Sequence, residues 1–488
     1  MNDRTGWRRI SLVIAAAITL AQAPGAAADT TADRPAGSRP TSVAGTTDCG
    51  WGSASCTPCV NDVVTSVKTG LRERGDTMGF HLGAGVPAPQ WSLTNLHDHW
   101  QGVQRLNADN GRWMAVSYDD TGDGPGGVGL VHLGSRAPAE PGGRLRSNRQ
   151  GPLMAERQAP PPLDAVVGRI DSGRADLAHA GGMSALGDYL AVPFEGDAAE
   201  SEVRVYSVAD PSHPVLKSTV KRPATGAAGN VGWARLSDGR YLLAVGGRDS
   251  SPLDFYTSSS IDGEYTKVGA WQGSLPAYQN TNLVTDCATG GLYLLGSHKN
   301  WSGQDWLDAY TVDLSGSAPR LAKVANRHLT CTQVDERQCD FAAGGGAYVS
   351  AAGELFFYAT EHDDDGPGGT VKLAEFRTNR SHPRTCGTDQ NSAWVELYEH
   401  SGFGGRSVII DFADRNAEDY GFYPATEAFN DKASSARWCL PPGTTHQLFA
   451  DGRFAGSSTV LSGIGEDADL AASPGLRGWG DKISSSRY

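Results

Sequence analysis

The stretch FNDKASSARW at residues 429–438 recurs fifty positions later as WGDKISSSRY at residues 479–488. In both copies an aspartate and a lysine are followed by one other residue and a pair of serines. Each copy comes after a second shared pattern, two aromatic residues and a glycine at matching spacing, at residues 398–405 and 449–456. Two patterns repeated in the same order predict two copies of one β-motif at the C-terminal end of the chain.

This arrangement resembles the βγ-crystallin family, in which two Greek-key motifs form one β-sandwich. The resemblance covers residues 388–488. In that family the aromatic residues pack a folded hairpin, and the glycine takes a backbone conformation that other residues resist. The loop that contains the serine pair implies calcium binding, with each site completed by backbone oxygens from the hairpin of the other motif.

The first copy matches the whole family motif for calcium, because it begins with Asn430 and Asp431. Calcium prefers hard oxygen ligands in a flexible arrangement. The resemblance therefore implies a site made by the Asp431 carboxylate, the Ser434 hydroxyl and the main-chain carbonyl of Lys432.

The second copy departs from the motif at its first position, which is Gly480. Its equivalent ligands would be Asp481, Ser484 and the carbonyl of Lys482. The missing polar side chain predicts a weaker or empty second site. An alternative interpretation is that both serine pairs were kept for hydrogen bonding within turns, without a metal.

The long central part of the chain, residues 95–385, repeats a different plan. Each repeat has a polar start, a glycine, two strands joined by a tight turn such as ADNG or LSDG, a polar end and a third strand. The repeats begin at His99, His179, Gly229, Asn280 and Phe341. Repeats of this kind, most of them spaced by about 50 residues, predict the blades of a five-bladed β-propeller, so the whole chain is expected to be all-β. GDYLAVPFEG and EVRVYSVADPSHP resemble bacterial β-propeller repeat proteins, which implies a fold and no activity.

The second strands of these repeats end in polar residues that would share one face of the disc. The ends are Asp119 with Asp120, Glu195, Arg248 with Asp249, His298 with Lys299, and Glu361 with His362. Three interpretations stay open. The residues are solvated strand ends, or Asp98, Glu195 and Glu361 catalyse glycoside hydrolysis, or His97, His99 and His179 bind a metal with a carboxylate.

The N-terminal region predicts export. Two arginines precede an apolar run at residues 10–20 and an Ala-rich cleavage pattern, so residues 1–28 are expected to be a signal peptide. Residues 29–48 have the composition of a disordered linker, and residues 49–94 combine cysteines with a short helix at 59–74. The apolar run is too short to span a bilayer, and no later segment predicts a membrane span.

Eight cysteines in an exported chain predict disulfides. Cys331 with Cys339 and Cys386 with Cys439 are plausible pairs, and the remaining connectivity is open. A metal bound by Cys56 and Cys59 is the less favoured alternative, because no matching second pair exists. The net charge of −13 argues against nucleic-acid binding.

The residues together predict a secreted calcium-binding protein with a binding or structural role and an extracellular ligand, polysaccharide or protein. The alternative is a secreted hydrolase acting on polysaccharide at the propeller face. That activity requires carboxylates about 5–10 Å apart. The sequence shows no nucleophile motif, phosphate loop or redox cofactor signature, which leans against an enzyme.

Overall fold

The computed structural model describes residues 49, 52–73, 75–81, 99–119, 125–133, 145, 165–196, 200–223, 227–247, 250–330, 339–362, 370–378, 390, 393–411, 416–417, 429–472, 474 and 476–488. The predicted signal peptide and linker lie outside these residues, as do His97, Asp98, Asp120, Arg248 and Asp249. His99 is described only in its main chain.

The described N-terminal segment is tied to the rest of the chain by a short helix and a strand. The helix α1, Val63–Thr65, continues as a π-helical turn, Ser66–Gly70, and is shorter than the predicted 59–74. The Asp62 side chain caps it by accepting a hydrogen bond from the Thr65 main-chain nitrogen. Its apolar face is buried as expected, at Val63, Val67 and Leu71. The strand β1, Asp76–His81, pairs with a strand almost 300 residues later.

The chain then forms one nine-stranded antiparallel sheet, in which a two-residue strand joins two groups of four strands, and three antiparallel sheets of four strands. We call the two groups the first and second sheets, and the three sheets that follow them the third, fourth and fifth. The strands of the first sheet are β2 (His99–Leu106), β3 (Trp113–Asp119), β4 (Gly127–His132) and β5 (Ala165–Asp171), with a helical turn α2 (Ala108–Gly111) after β2. After the two-residue β6 (His179–Ala180), the second sheet has β7 (Ser184–Leu186), β8 (Tyr189–Glu195), β9 (Glu200–Ser207) and β10 (Val215–Pro223). β6 pairs with both β3 and β8 and so joins the first two sheets.

The third and fourth sheets are simple meanders, in which each strand pairs with the next. The third sheet has β11 (Asn230–Arg235), β12 (Tyr241–Gly246), β13 (Leu253–Ser258) and β14 (Thr266–Trp271). The fourth has β15 (Asn280–Thr285), β16 (Leu292–Lys299), β17 (Asp305–Asp313) and β18 (Arg320–Leu329). The fifth has β19 (Gly345–Val349), β20 (Leu355–Thr360) and β21 (Thr370–Arg377), and β1 supplies its outer strand.

The five sheets follow one another in a closed order. Contacts join the first strand of each sheet to the first strand of the next, through β2, β7, β11, β15 and β19, and from β19 back to β2. Five apolar clusters lie between consecutive sheets, including one between the fifth sheet and the first. The inner strands are therefore buried on both faces, as in β12, where every residue is buried, whereas an outer strand such as β14 is partly exposed. This explains why the central strands read as continuous apolar runs.

The C-terminal residues form two further sheets that exchange strands. The elements are β22 (Trp394–His400), β23 (Gly404–Asp411), β24 (Asn416–Ala417), β25 (Ser435–Cys439), β26 (Thr445–Asp451), β27 (Ala455–Ser462), β28 (Ile464–Asp467) and β29 (Ser485–Arg487). One sheet has the order β23–β22–β25–β28 and the other β24–β29–β26–β27. Each sequence repeat thus gives a strand to the sheet of the other repeat. A shared core that includes Val395, Leu448 and Ile483 lies inside the two sheets.

Disulfides join two of the described cysteine pairs. Cys49 bonds to Cys56, and Cys59 bonds to Cys287 in the turn between β15 and β16. Cys56 and Cys59 are therefore not a metal-binding pair. Cys339 and Cys439 are also in disulfides, and their predicted partners, Cys331 and Cys386, lie outside the described residues.

Within the described part of the chain, no helix has the length and apolar character needed to cross a membrane.

Candidate functional site

The two aromatic hairpins have nearly the same geometry. Tyr398 and Phe403 have ring centroids 5.5 Å apart, and so do Phe449 and Phe454. The second aromatic of each pair has a left-handed backbone, with φ of 62° at Phe403 and 60° at Phe454. Gly456, the glycine of the second pattern, has φ of 77° and so takes the conformation that only glycine adopts without strain.

The second serine of each pair holds its own hairpin closed. The Ser435 hydroxyl donates to the His400 carbonyl at 2.6 Å and accepts from the Phe403 main-chain nitrogen at 3.0 Å. Ser485 makes the equivalent bonds, at 2.6 Å to the Asp451 carbonyl and 3.0 Å from the Phe454 nitrogen. Both serines are fully buried. The second serine is therefore structural, which leaves the first serine of each pair to face the loop.

The first serines and the aspartates are paired across the two copies. The Ser484 hydroxyl donates to Asp431 Oδ1 at 2.9 Å, and the Ser434 hydroxyl donates to Asp481 Oδ1 at 3.0 Å. The main chain crosses in the same way, because the Asp431 nitrogen donates to the Ile483 carbonyl and the Asp481 nitrogen to the Ala433 carbonyl. The structure thus puts each aspartate beside the serine of the other copy, whereas the sequence grouped Asp431 with Ser434 and Asp481 with Ser484.

Both aspartates have a left-handed backbone, with φ of 54° at Asp431 and 53° at Asp481. Aspartate tolerates this conformation better than most residues, but it remains uncommon. Both side chains are exposed, so solvent ions reach the carboxylates. The lysines that follow, Lys432 and Lys482, are exposed as well, and they could contribute only main-chain oxygens to a cation.

The two copies differ in what surrounds the crossed pairs. The Asn430 amide donates to Asp431 Oδ2 at 2.9 Å, and Ser484 also lies 2.8 Å from the Ala450 carbonyl. At the other aspartate, Gly480 has no side chain. A Cβ at Gly480 would lie 3.1 Å from the Cβ of Ala471 and 3.2 Å from its main-chain nitrogen, which is tighter than ordinary contact. Crowding by Ala471 gives a physical reason for the glycine.

The oxygen atoms in the crossed loops are of the types that calcium binds. Asp431, Ser484 and the Ala450 carbonyl place a carboxylate, a hydroxyl and a carbonyl oxygen in one chain of hydrogen bonds, and calcium accepts all three types. In the parts of the chain that the structure describes, no group of three or more His, Cys, Asp or Glu side chains could hold a metal. A cation at these loops would therefore depend on hydroxyl and main-chain oxygens.

Two arginines that the sequence analysis did not single out cover the hairpins. The Arg437 guanidinium lies 3.8 Å from the centre of the Phe403 ring, and that of Arg487 lies 5.1 Å from the Phe449 ring. Each arginine comes two residues after the serine pair. The alignment SSAR with SSSR is the signal that could have identified them.

The predicted catalytic carboxylates lie in different sheets. Glu195 ends β8, is buried, and has its Oε1 3.4 Å from His179 Nδ1. Glu361 follows β20 and is also buried. Asp98 and His97 are outside the described residues. The structure therefore shows only part of the predicted carboxylate set and only part of the predicted histidine set.

Asp305, a carboxyl group near the end of β16, has a raised pKa. Burial raises the pKa of Asp305 to about 6, against the hydrogen bond from the Phe341 nitrogen and the charge of Lys299, which lower it. Lys299 itself forms an ion pair with Asp340 at 2.7 Å. The sequence analysis missed Asp305 and Asp340, because neither occupies the repeated position at the end of a second strand.

Comparison with known proteins gave matches among solved structures only. No family model matches the chain, and no curated protein matches it. A structure titled for the evolution of the eye lens βγ-crystallin fold is 28% identical, covers 21% of this chain and 90% of its own, with a TM-score of 0.16. A βγ-crystallin domain from Flavobacterium johnsoniae is 22% identical, covers 19% and 90%, with a TM-score of 0.15.

A larger part of the chain is similar to an α-L-arabinofuranosidase from Podospora anserina, solved with cellotriose. The identity is 10%, the match covers 64% of this chain and 98% of that one, and the TM-score is 0.33. Parts of the chain are thus similar to βγ-crystallin domains and to this hydrolase. These TM-scores are too low to carry an argument about fold or activity.

Proposed function

We propose that the chain is a secreted calcium-binding protein, with a five-bladed β-propeller at residues 95–385 and a βγ-crystallin-like domain at residues 388–488. The closed order of five four-stranded sheets supports the propeller, and the exchange of β24 and β28 between two sheets supports the Greek-key domain. Its role is binding or structural, toward an extracellular polysaccharide or protein.

The observation that carries the calcium proposal is the crossing of Asp431 with Ser484 and of Asp481 with Ser434. Each ion would then take a carboxylate from one copy and a hydroxyl from the other. Lys432, Lys482 and their neighbours would contribute carbonyl oxygens. Since each site uses both copies, calcium would cross-link the two halves of the domain. This explains why the pattern Asp-Lys-x-Ser-Ser occurs twice.

The two sites are expected to differ in affinity. The site at Asp431 has the Asn430 amide to orient the carboxylate and the Ala450 carbonyl beside the serine. The site at Asp481 has Gly480 in place of the asparagine. We therefore assign the tighter site to Asp431 and the weaker one to Asp481.

Calorimetric titration of calcium into the full chain tests this assignment, with Asp431→Ala and Asp481→Ala as variants and Asp238→Asn, an exposed turn carboxylate, as control. Wild type and control should show two binding events. Asp431→Ala should remove the tighter event and Asp481→Ala the weaker one. No binding heat and no calcium-dependent rise in melting temperature would mean that the loops are scaffold only.

Export is tested by the mature N-terminus. A protein recovered from culture medium should begin near Asp29, because the cleavage pattern ends at Ala28. An intact N-terminus on protein retained in the cells would contradict secretion.

A secreted hydrolase is the second candidate, and Asp305 is the specific observation that favours it. A carboxyl group with a pKa of about 6 is suited to act as a general acid near neutral pH. Release of reducing ends from a panel of soluble polysaccharides would support it, provided that Asp305→Asn abolishes the release. No release by wild type would eliminate this candidate.

A further inference from the structure

The turn between β16 and β17 carries a tryptophan that lies in solvent. Trp301 is fully exposed, and among the side chains that the structure describes it is the only exposed aromatic one. Burial of a tryptophan removes a large apolar area from water, and the fold does without that stabilisation here. A single exposed apolar residue is not unusual by itself, so the surroundings of Trp301 decide its meaning.

The backbone that carries Trp301 is fixed by hydrogen bonds within the turn. Asn300 Oδ1 accepts from the main-chain nitrogens of Ser302 and Gln304, both at 2.9 Å, and the Asn300 amide donates to Gln304 Oε1 at 3.0 Å. The Asn300 main-chain nitrogen donates to the Gln304 carbonyl at 2.8 Å, and Gly303 has φ of 76°. Because a fixed backbone loses little entropy when a ligand binds, this turn presents its tryptophan in a pre-organised form.

Charged groups lie at the base of this turn, between the fourth and fifth sheets. Lys299 and Asp305 flank the turn and are directly opposite each other in the pairing of β16 with β17. Lys299 Nζ lies 2.7 Å from Asp340 Oδ2, and both side chains are partly exposed. Asp305 Oδ1 accepts from the Phe341 main-chain nitrogen at 3.1 Å. One amino group and two carboxylates are thus gathered beside the exposed tryptophan.

These groups lie at the end of the sheets where the second strands finish. β16 ends at Lys299 and β20 ends at Thr360, and each is the second strand of its sheet. The Asp340 main-chain nitrogen donates to the Thr360 carbonyl at 2.8 Å, which joins the group to the end of β20. The Trp301 turn and the polar strand ends that the sequence predicts as a face are therefore at the same end of the fourth and fifth sheets.

The neighbours of Trp301 do not form an extended apolar surface. The other large apolar side chains that are exposed in the described chain belong to different sheets, at Val167, Val215, Leu216, Val268, Val460 and Ile464. Binding to a membrane surface scales with the apolar area that is buried, and protein interfaces set their aromatic anchors in desolvated pockets. A single ring beside Ser302, Gln304 and Lys299 provides neither.

The charges near Trp301 argue against an anionic ligand. Nucleic acids and other polyanions need a basic surface, whereas Lys299 stands here against the two carboxylates of Asp305 and Asp340, in a chain of net charge −13. A neutral sugar fits better, because the C–H groups on one side of its ring pack on an aromatic face. Its hydroxyls can donate to carboxylates and accept from amino and amide groups.

We propose that Trp301 and the groups at the base of its turn bind a neutral polysaccharide. Trp301 stacks on one sugar ring, and Lys299, Asp305 and Asp340 form hydrogen bonds with hydroxyls of that sugar or the next. This inference rests on the proposed binding role of the chain and deepens it, because it selects a polysaccharide over a protein and gives the position of the site. It requires neither calcium at the C-terminal loops nor hydrolysis.

Affinity electrophoresis of the full chain tests the proposal. Native gels contain β-glucan, xylan or galactomannan as neutral polysaccharides, polygalacturonate as an anionic one, or no polysaccharide. At least one neutral polysaccharide should retard the wild-type chain, and its titration in solution should change the tryptophan fluorescence. Polygalacturonate should not retard the chain, because the carboxylates repel it.

Variants then assign the site. Trp301→Ala should weaken binding by about tenfold or more, because it removes the aromatic anchor, and Trp301→Phe should restore part of the affinity. Asp340→Asn keeps the shape of the side chain and should also weaken binding. Val268→Ala, which shortens an exposed apolar side chain in the third sheet, is the control and should bind as wild type does. Since Trp301 is exposed, its variants should melt at the wild-type temperature.

The possible failures can be told apart. No retardation by any of the neutral polysaccharides, or retardation by polygalacturonate alone, would overturn the proposal. Equal retardation of Trp301→Ala and wild type would overturn the site at Trp301 and leave the proposed binding role of the chain intact. Calcium binding is read separately from the calorimetry of Asp431→Ala and Asp481→Ala, whatever the polysaccharide gels show.

Discussion

The loops at residues 430–435 and 480–485 have the same backbone conformation, but different residues surround their aspartate carboxylates. Both loops have a left-handed aspartate, a first serine that crosses to the other copy and a buried second serine. Only the first loop has an asparagine to orient its carboxylate. Hydrogen bonds that close the hairpins are thus duplicated faithfully, while the groups around the exposed oxygens have diverged. The difference shows that the hydrogen bonds closing the hairpins are kept in both copies while the residues around the exposed carboxylates are not.

The largest expected effect comes from a position where the repeats differ inside the core. His446 stands where the first repeat has Val395, and both are fully buried. Burial lowers the pKa of His446 to about 3 from 6.5, and its ring packs 4.3 Å from that of Tyr488. Neither ring nitrogen has a hydrogen-bond partner in the described chain, so the folded state holds the neutral form.

Stability of the C-terminal sheets should therefore fall as the pH drops from 6.5 toward 3. Above pH 6.5 the histidine is neutral in both states. Below pH 6.5 the histidine is protonated in the unfolded chain but stays neutral in the folded chain. The free energy of unfolding therefore falls by up to about 1.4 kcal/mol per pH unit. His446→Val should flatten this dependence in calcium-free melts, whereas His213→Gln, an exposed control, should not. An unchanged pH dependence in His446→Val would show that other groups cause it.

The next effect tests whether the two hairpins are equally dependent on their serines. Ser435→Ala and Ser485→Ala each remove a buried donor and acceptor, leaving the partner carbonyl and nitrogen unpaired. Each should lower the free energy of unfolding by about 1–3 kcal/mol. Denaturant unfolding without calcium measures both. A clear difference between the variants would mean that the duplicated hydrogen bonds do not contribute equally.

The next prediction concerns Gly480, the position at which the second loop differs from Asn430 of the first loop. Gly480→Asn should give Asp481 the amide donor that Asp431 has, and so strengthen calcium binding at the site proposed there. Contact with Ala471 should cost about 1 kcal/mol of stability without calcium. Calorimetry with Asp431→Ala in the background isolates that site, and Gly480→Ala is the control that adds the contact without the amide. Equal affinity in the two variants would argue against the orienting role of asparagine.

The sequence could predict much of the C-terminal loops because their pattern is local. The aspartates, serines and aromatic residues lie a few positions apart, so their spacing identifies the hairpin and the oxygen donors. The crossing of Asp431 with Ser484 could not be read this way, because it depends on how two loops fifty residues apart meet. The burial of His446 was equally hidden, since a histidine in a strand gives no signal of which face it takes.

In the central region, the first three strands of each sheet could be predicted from strand and turn patterns, whereas the outer fourth strand and the closure of the set could not. Strand β1 completes the fifth sheet by pairing with β21, yet DTMGFH is short, contains glycine and lies almost 300 residues from its partner. The polar residues at strand ends were predicted as a set. Asp305 was missed, because its raised pKa comes from burial by neighbouring elements and not from its place in the repeat.

The smallest expected effect concerns the arginines over the hairpins. Arg437 lies closer to its ring than Arg487 does, at 3.8 Å against 5.1 Å, and also pairs with Glu466 at 3.1 Å. Arg437→Ala should cost about 0.5–1 kcal/mol, and Arg487→Ala less, because its guanidinium lies farther from the ring. Lysine substitutions provide the matched control, since they keep the charge and lose the flat stacking group. If Arg437→Lys matches wild type, charge alone accounts for the contact. If it matches Arg437→Ala, the stacked geometry does, and the conserved spacing from the serine pair then reflects hairpin packing in both copies.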